Sequence, residues 1–206
     1  MKNALIACLL AGLSLPGLSQ AQENQRTEIT PFAAVLGGGG FRDQLTSADL
    51  DVESSAAGGL ILDFPWEPNS QLEIYLGRQP TSVEPDNAAP GPRFDLNVGY
   101  YHIGGIVLFE PSPRLRPYFV ATIGATHFDP ENGALDSELR FSVSAGVGAK
   151  YPLTDRLALR FEGRAFVTAM DSDSQIFCNL PGTCEIKVRS DTFVQWQALL
   201  GLSLGF

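Results

Sequence analysis

The sequence predicts an all-β chain that folds as an eight-stranded, antiparallel, up-and-down transmembrane β-barrel. Apolar and polar residues alternate with a period of two through most of the chain, as side chains do on a strand with two different faces. Long polar connections alternate with short turns. The chain begins with an export-type segment, and no later segment approaches the roughly 18 consecutive apolar residues of a membrane helix.

Residues 1–21 are predicted to be a cleaved signal peptide. Lys2 supplies a minimal positive region, residues 4–15 form an apolar stretch, and Ser19-Gln20-Ala21 fits a small-x-small cleavage site. The apolar stretch is shorter than the about 20 residues that a spanning helix needs. Residues 22–206 then form one barrel domain of about 185 residues.

The cysteines indicate one disulfide. Cys8 follows Leu5-Ile6-Ala7 and so fits a lipobox by its letters, but the apolar run continues beyond it, and we expect it to be discarded with the signal. Cys178 and Cys184 remain, separated by a segment with the turn dipeptide Pro181-Gly182. In an exported chain such a pair is most simply a disulfide.

Turn residues divide the exported chain into eight predicted strands. The last is the clearest, because every second residue from Trp196 to Phe206 is apolar and those between are mostly small or polar. Ten residues tilted by about 40° cover about 25 Å, the height of an outer-membrane apolar band. The alternation of apolar and polar residues is less regular in the first predicted strand, which contains Pro31, and in the fifth. The strands are predicted at residues 28–38, 52–63, 70–79, 93–109, 115–128, 138–150, 157–170 and 192–206.

The polar faces of several strands are charged, and eight strands enclose a space that side chains fill. Because a charge buried there must be paired, we predict an interior salt-bridge network. In the fourth strand, Asp95 is placed on this inner face, opposite Leu96 and Val98. The alternative is a gated, narrow solute or ion path lined by the same charges. The predicted members are Glu73, Asp95, Arg140, Lys150, Arg160, Glu162 and Arg164.

The connections alternate in length, as in outer-membrane barrels. The long ones are residues 39–51, 80–92, 129–137 and 171–191. An even number of strands puts both termini beside the short turns, so the long loops are expected to be extracellular. Aromatic residues gather near the short turns and are expected to form a periplasmic girdle: Phe64, Trp66, Phe109, Tyr151 and Phe206.

Four segments carry a family resemblance: Ser19-Gln20-Ala21, Arg116-Pro117-Tyr118, the run from Tyr151 to Glu162, and the terminal Phe206. With them the chain resembles the small eight-stranded outer-membrane β-barrel family, which includes the OmpA membrane domain and OmpX. The resemblance implies a place in the outer membrane and contact with its lipid and lipopolysaccharide. It also implies that Phe206 is read by the outer-membrane assembly machinery.

Composition and motifs argue against several other classes. The net charge of −9, which becomes −10 without Lys2, argues against nucleic acid as a partner. Gly37 to Gly40 lacks the Lys-Ser/Thr of a phosphate loop. The two histidines, His102 and His127, supply neither a metal cluster nor the His-x-Ser pair expected of a lipid A deacylase, and both are predicted as surface residues. We therefore expect no metal, no cofactor and no catalysis.

The sequence thus predicts a structural or surface-interaction role through the long loops, such as membrane integrity, adhesion or resistance, with a possible extracellular ligand. The first alternative is a narrow channel for small or apolar solutes, like the OmpW class. A lipid A-modifying barrel enzyme and a soluble lipocalin-like binder are less favoured. The lipocalin-like binder would need a polar exterior and an apolar interior.

Overall fold

The computed structural model describes residues 26–42, 49–85, 94–109, 115–131, 136–170, 175–179, 183–187 and 192–206. These residues form a closed antiparallel β-barrel, which confirms the predicted fold class. The strands are β1 (Glu28–Gly37), β2 (Gly40–Arg42), β3 (Asp49–Val52), β4 (Ser55–Glu67), β5 (Ser70–Pro85), β6 (Phe94–Leu108), β7 (Arg116–Pro130), β8 (Glu138–Pro152), β9 (Leu157–Ala169), β10 (Gln175–Asn179), β11 (Thr183–Lys187) and β12 (Thr192–Gly205).

The wall of the barrel is built by β1, β4, β5, β6, β7, β8, β9 and β12, each paired antiparallel with the next along the chain. β1 and β12 close the ring, in a register that runs from Glu28 opposite Gly205 to Gly37 opposite Trp196. A closed ring leaves no strand edge without hydrogen-bond partners. We call the end near the chain termini the short-turn end and the opposite one the long-loop end.

The wall strands match the predicted segments, and four short strands were not predicted. β1 stops at Gly38 and Gly39, which have φ angles of 80° and 95°. A Cβ at Gly39 would lie 2.4 Å from the Phe193 ring, so this turn needs glycine. Beyond it, β2 pairs with β3, and β3 pairs with the end of β5. β10 and β11 form a separate two-stranded sheet.

The described residues include no helix that is long and apolar enough to cross a membrane.

The outer surface carries an apolar band. In β12, Trp196, Leu200 and Leu204 are exposed, whereas Gln197 and Ser203 are buried, as the sequence pattern predicts. β8 and β9 show the same alternation, with Phe141 and Phe161 on the outside. At the short-turn end, four of the predicted girdle residues are exposed and Phe64 is half-buried; the four are Trp66, Phe109, Tyr151 and Phe206.

The phase of β6 is opposite to the predicted one at its long-loop end. Leu96, Val98 and Tyr100 are buried in the barrel, and Asp95 is exposed. The reason is that the inside of the barrel is apolar toward the long-loop end, where these residues pack with Leu36, Phe128 and Phe193. Among the described residues, the buried charges expected in the interior therefore lie toward the short-turn end, while uncharged polar side chains such as Gln79 and Gln195 are also buried toward the long-loop end.

Candidate functional site

The interior toward the short-turn end holds a cluster of buried charges centred on Arg160. This side chain is fully buried. Its guanidinium donates from Nη1 to Asp63 at 2.9 Å, from Nη2 to Glu73 at 2.5 Å, and from Nη2 and Nε to Glu162 at 2.6 and 3.1 Å. Since these carboxylates come from β4, β5 and β9, one arginine joins strands on different sides of the ring.

Arg164 makes a second set of ion pairs with two of the same carboxylates. It donates from Nη2 to Glu73 and from Nε to Glu162, both at 2.6 Å. The guanidinium also lies over the Tyr75 ring, 4.6 Å from its centroid, which is favourable for a cation. The Tyr118 hydroxyl of β7 donates to Glu162 at 2.6 Å. Glu162 thereby accepts hydrogen bonds from two arginines and a tyrosine.

Lys150 extends the cluster toward the short-turn end. Its Nζ lies 2.7 Å from Glu28 Oε2, 3.0 Å from Asp63 Oδ2 and 2.9 Å from Gln71 Oε1. Asp63 therefore accepts from both Lys150 and Arg160 through the same oxygen. The cluster draws side chains from β1, β4, β5, β7, β8 and β9, and so ties most of the barrel wall together across the lumen.

The structure brings together five of the seven predicted network residues: Glu73, Lys150, Arg160, Glu162 and Arg164. Arg140 lies elsewhere, in a partly exposed pair with Glu138 at 2.5 Å. The prediction that Asp95 faces the interior is wrong, because β6 has the opposite phase there.

Two acidic members of the cluster, Glu28 and Asp63, were not predicted from the sequence. Both stand at the ends of predicted strands, where Asp63 looked like the start of a turn. The two-residue alternation could have placed both of them in the interior. Asp63 lies on the same inward side of β4 as Ile61, and Glu28 stands two residues before the buried Thr30 in β1. A charged residue in phase with an inward face belongs to the interior even at a strand end.

The prediction that His102 lies on the surface is also wrong. Its side chain is 3% exposed and points into the barrel. Nδ1 lies 3.0 Å from the Thr122 hydroxyl, and Nε2 lies 2.9 Å from the Ser142 hydroxyl. Thr122 also bonds Ser144 at 2.6 Å. Strand pairing thus creates a His–Ser contact that no short motif encodes, within a buried set of hydroxyl partners.

A layer of rings lies beside this histidine and fills the middle of the barrel. Phe166 stacks on Tyr100 with 4.2 Å between centroids and meets His102 edge-on at 5.3 Å. The Tyr100 hydroxyl donates to Gln195, and Gln197 donates to the Tyr75 hydroxyl at 2.7 Å. With every one of these side chains nearly or fully buried, the lumen is packed here too.

The remaining predicted sites lie partly outside the described residues. Residues 1–21 are outside, so the predicted signal peptide and its cleavage near Ala21 stay predictions. The backbone of the β10–β11 hairpin places Cys178 directly opposite Cys184, but their side chains are outside the description. In the described part of the chain, no group of three or more histidine, cysteine, aspartate or glutamate side chains could hold a metal ion.

Comparisons with known proteins agree on the architecture. The family model of the outer membrane protein beta-barrel domain matches residues 5–177. Among curated proteins, none matches the chain significantly.

Solved structures of three proteins are similar in fold. Neisserial surface protein A (NspA) has a TM-score of 0.61 at 12% identity over 87% of this chain and 97% of that one. OprG from Pseudomonas aeruginosa has a TM-score of 0.58 at 12% identity over 89% and 97%. The outer membrane protein AlkL has a TM-score of 0.56 at 16% identity over 100% and 97%. At these identities the likeness extends to the fold alone.

Proposed function

This chain belongs to the outer membrane protein β-barrel domain family, and we propose that it acts as a non-conducting barrel whose long loops carry a structural or surface-interaction role. The observation that carries the proposal is the filled lumen. Two successive layers, the charge cluster around Arg160 and the ring layer around Phe166, consist of side chains buried against one another.

The charge cluster supports a structural task for the interior. Each carboxylate in it accepts from at least one cation at 3.0 Å or less. Ion pairs at these distances hold side chains from different strands in one arrangement, whereas removal of one partner leaves an uncompensated buried charge. An interior of this kind stabilises the ring and blocks the passage of hydrated ions.

The His102–Ser142 contact is best explained as part of this packing. An esterase-type serine needs an accessible hydroxyl and an imidazole oriented by a third group. Ser142 is fully buried, and the second nitrogen of His102 is engaged by Thr122 rather than by a carboxylate. We propose a structural role for both residues and no catalytic one.

The first alternative, a narrow path for apolar solutes, has one observation in its favour. Toward the long-loop end the interior is lined by apolar side chains, among them Leu36, Val98 and Phe193. Such a lining could accept an apolar molecule from the outside. The packed layers beneath it weigh against passage through the whole barrel.

Export and orientation complete the proposal. The predicted signal peptide, residues 1–21, would direct the chain out of the cytoplasm, and Phe206 would be recognised by the outer-membrane assembly machinery. The short-turn end would face the periplasm and the long loops the exterior, in contact with lipopolysaccharide and a possible extracellular ligand. The exposed aromatic residues Trp66, Phe109 and Tyr151 support a membrane interface at the short-turn end.

We further propose that Cys178 and Cys184 form a disulfide in the last long loop. They are directly opposed in an antiparallel pair, where Cα atoms are about 4.5–5.5 Å apart, within the range a disulfide spans. Mass spectrometry of the alkylated, unreduced chain should show no modified cysteine in the exported protein. Alkylation of both residues without a reductant would contradict the disulfide.

Planar-bilayer recording tests the main proposal. We expect no sustained single-channel conductance from the purified barrel, because the two layers close the lumen. Liposome uptake of a radiolabelled alkane, compared with protein-free liposomes, tests the apolar path. Steady ion-selective openings, or uptake above the control, would replace the proposed role by transport.

A further inference from the structure

A cleft of about 500 Å³ opens at the short-turn end of the barrel. Three arginines line it, one from the segment before β1 (Arg26), one from the start of β7 (Arg116) and one from the β8–β9 turn (Arg156). Glu28, which binds Lys150 of the charge cluster, also lines the cleft. The cleft is therefore a vestibule below the charge cluster, and none of its arginines belongs to that cluster.

Arg116 faces the barrel axis rather than the surrounding lipid, and Arg156 lies exposed in the β8–β9 turn. Arg116 is paired in register with the inward-facing Lys150 and stands two residues before the buried Tyr118. The opposite wall of the cleft includes Ser203, which is buried and bonded to Thr30 inside the barrel. An occupant of this cleft would enter from the mouth of the barrel.

Two carboxylate residues, Glu28 and Asp155, line the vestibule together with the three arginines, and in the described part of the chain neither forms an ion pair with any of the three. The Glu28 carboxylate is engaged by Lys150 at 2.7 Å and by Gln71 at 3.4 Å. Arg26 donates to the backbone oxygen of Asp155 at 3.1 Å and not to its carboxylate. Within the described part of the chain, no carboxylate lies within ion-pair distance of Arg26, Arg116 or Arg156.

Arg116 in addition has a buried Nε with no hydrogen-bond partner. A buried charged donor without an acceptor is destabilising, and an anion that reached it would remove that cost. The guanidinium presents its N–H groups as a rigid fork that fits the oxygens of a phosphate. Three arginines around one cleft can contact several oxygens of the same group.

We propose that this vestibule binds a phosphate group, either of a small soluble anion or of a phospholipid headgroup at the mouth of the barrel. The proposal is independent of the loop-based role, because the vestibule lies at the opposite end of the barrel from the long loops. The ligand class follows from the arginines, the cleft volume and the unpartnered Arg116 Nε.

Arginine side-chain NMR of the full exported chain in uncharged, phosphate-free maltoside micelles tests this. Inorganic phosphate, titrated against chloride at constant ionic strength, should shift the Nε resonances of Arg26 and Arg116 saturably.

Arg156→Gln, in an exposed turn, should fold normally and weaken binding severalfold, and Arg116→Gln should weaken it about tenfold or more. Arg78→Gln is the matched control, since Arg78 lies near the long-loop end and bonds Asn97.

The lipid arm repeats the measurement in nanodiscs with phosphatidylglycerol and without added phosphate. Shifts with inorganic phosphate in the maltoside micelles identify a soluble anion as the source. Shifts only in phosphatidylglycerol discs identify the headgroup, and either result supports the site. The proposal is overturned if no saturable shift occurs in either arm, or if Arg156→Gln binds as tightly as the wild type. If Arg116→Gln does not fold, the Arg156→Gln titration decides.

Discussion

At the scale of single residues, the interior depends on side chains that serve several partners at once. Glu162 accepts from Arg160, Arg164 and Tyr118, all nearly or fully buried. Loss of its charge would leave two buried guanidinium groups short of compensation. In a buried network of this kind the penalty for breaking a pair exceeds the net benefit of having formed it.

Replacement of Glu162 by Gln should lower the free energy of unfolding by about 3–5 kcal/mol, because a neutral amide turns one acceptor into a donor among cations. Urea unfolding in lipid vesicles, followed by heat-modifiable gel migration, measures it. Asp155→Asn removes the same charge from an exposed turn and should change stability by less than about 0.5 kcal/mol. Equal stability of Glu162→Gln and the wild type would show that the cluster does not hold the barrel.

The two histidines offer a second residue-scale comparison. His102→Ala leaves a cavity and unpaired hydroxyls at Thr122 and Ser142, and we expect it to cost about 2–4 kcal/mol. His127→Ala, at a half-buried position near the long-loop end, should cost much less. Urea midpoints of the two variants in the same vesicles decide this. Equal urea midpoints for the two variants would show that the contacts of His102 with Thr122 and Ser142 do not stabilise the barrel.

At the scale of elements, the strand phase decides which residues meet lipid and which meet the lumen. β12 follows the alternation without a break from Trp196 to Leu204 and pairs with both β1 and β9. A charge introduced on its outer face would have to reside in the apolar band. The cost of such a charge depends on depth, falling from the middle of the bilayer to its edges.

Leu200→Arg, near the middle of the outer band of β12, should destabilise the folded barrel by about 2–4 kcal/mol. Leu204→Arg, close to the short-turn end, should cost about 0–1 kcal/mol. Folding titrations into phosphatidylcholine vesicles give both values. Equal costs at the two positions would mean that the band is not aligned with the membrane as described.

At the scale of the whole molecule, we expect stability to come from the closed ring and not from the β10–β11 sheet. This hairpin has no strand pairing with the barrel, whereas every wall strand pairs on both sides. Closure makes the wall strands interdependent, since removal of one pair opens two edges.

Replacement of residues 175–187 by a short Gly-Ser turn should leave the urea midpoint and the heat-modifiable gel shift of the barrel unchanged. Deletion of the hairpin formed by β8 and β9 is the control and should prevent insertion into vesicles, because it removes much of the charge cluster. Loss of barrel folding on removal of residues 175–187 would mean that the loop contributes to the core.

The sequence by itself determined the class of this protein, because strand alternation is a local property. Where outer positions are apolar and inner ones polar, as in β8, β9 and β12, two-residue periodicity predicts both the strand and its outward face. The inner placement of Arg160, Glu162 and Arg164 followed from the same rule.

Only the tertiary structure decided which side chains meet across the lumen. Lys150 forms ion pairs with Glu28 and Asp63, and His102 contacts Ser142, although these residues lie far apart in the chain. They meet because strand stagger and ring closure set the position of each residue along the barrel axis. The tertiary structure also decided that Leu96, Val98 and Tyr100 of β6 face the lumen and Asp95 faces outward. When the interior changes from charged to apolar along the barrel axis, residue type no longer tells the inside of a strand from the outside.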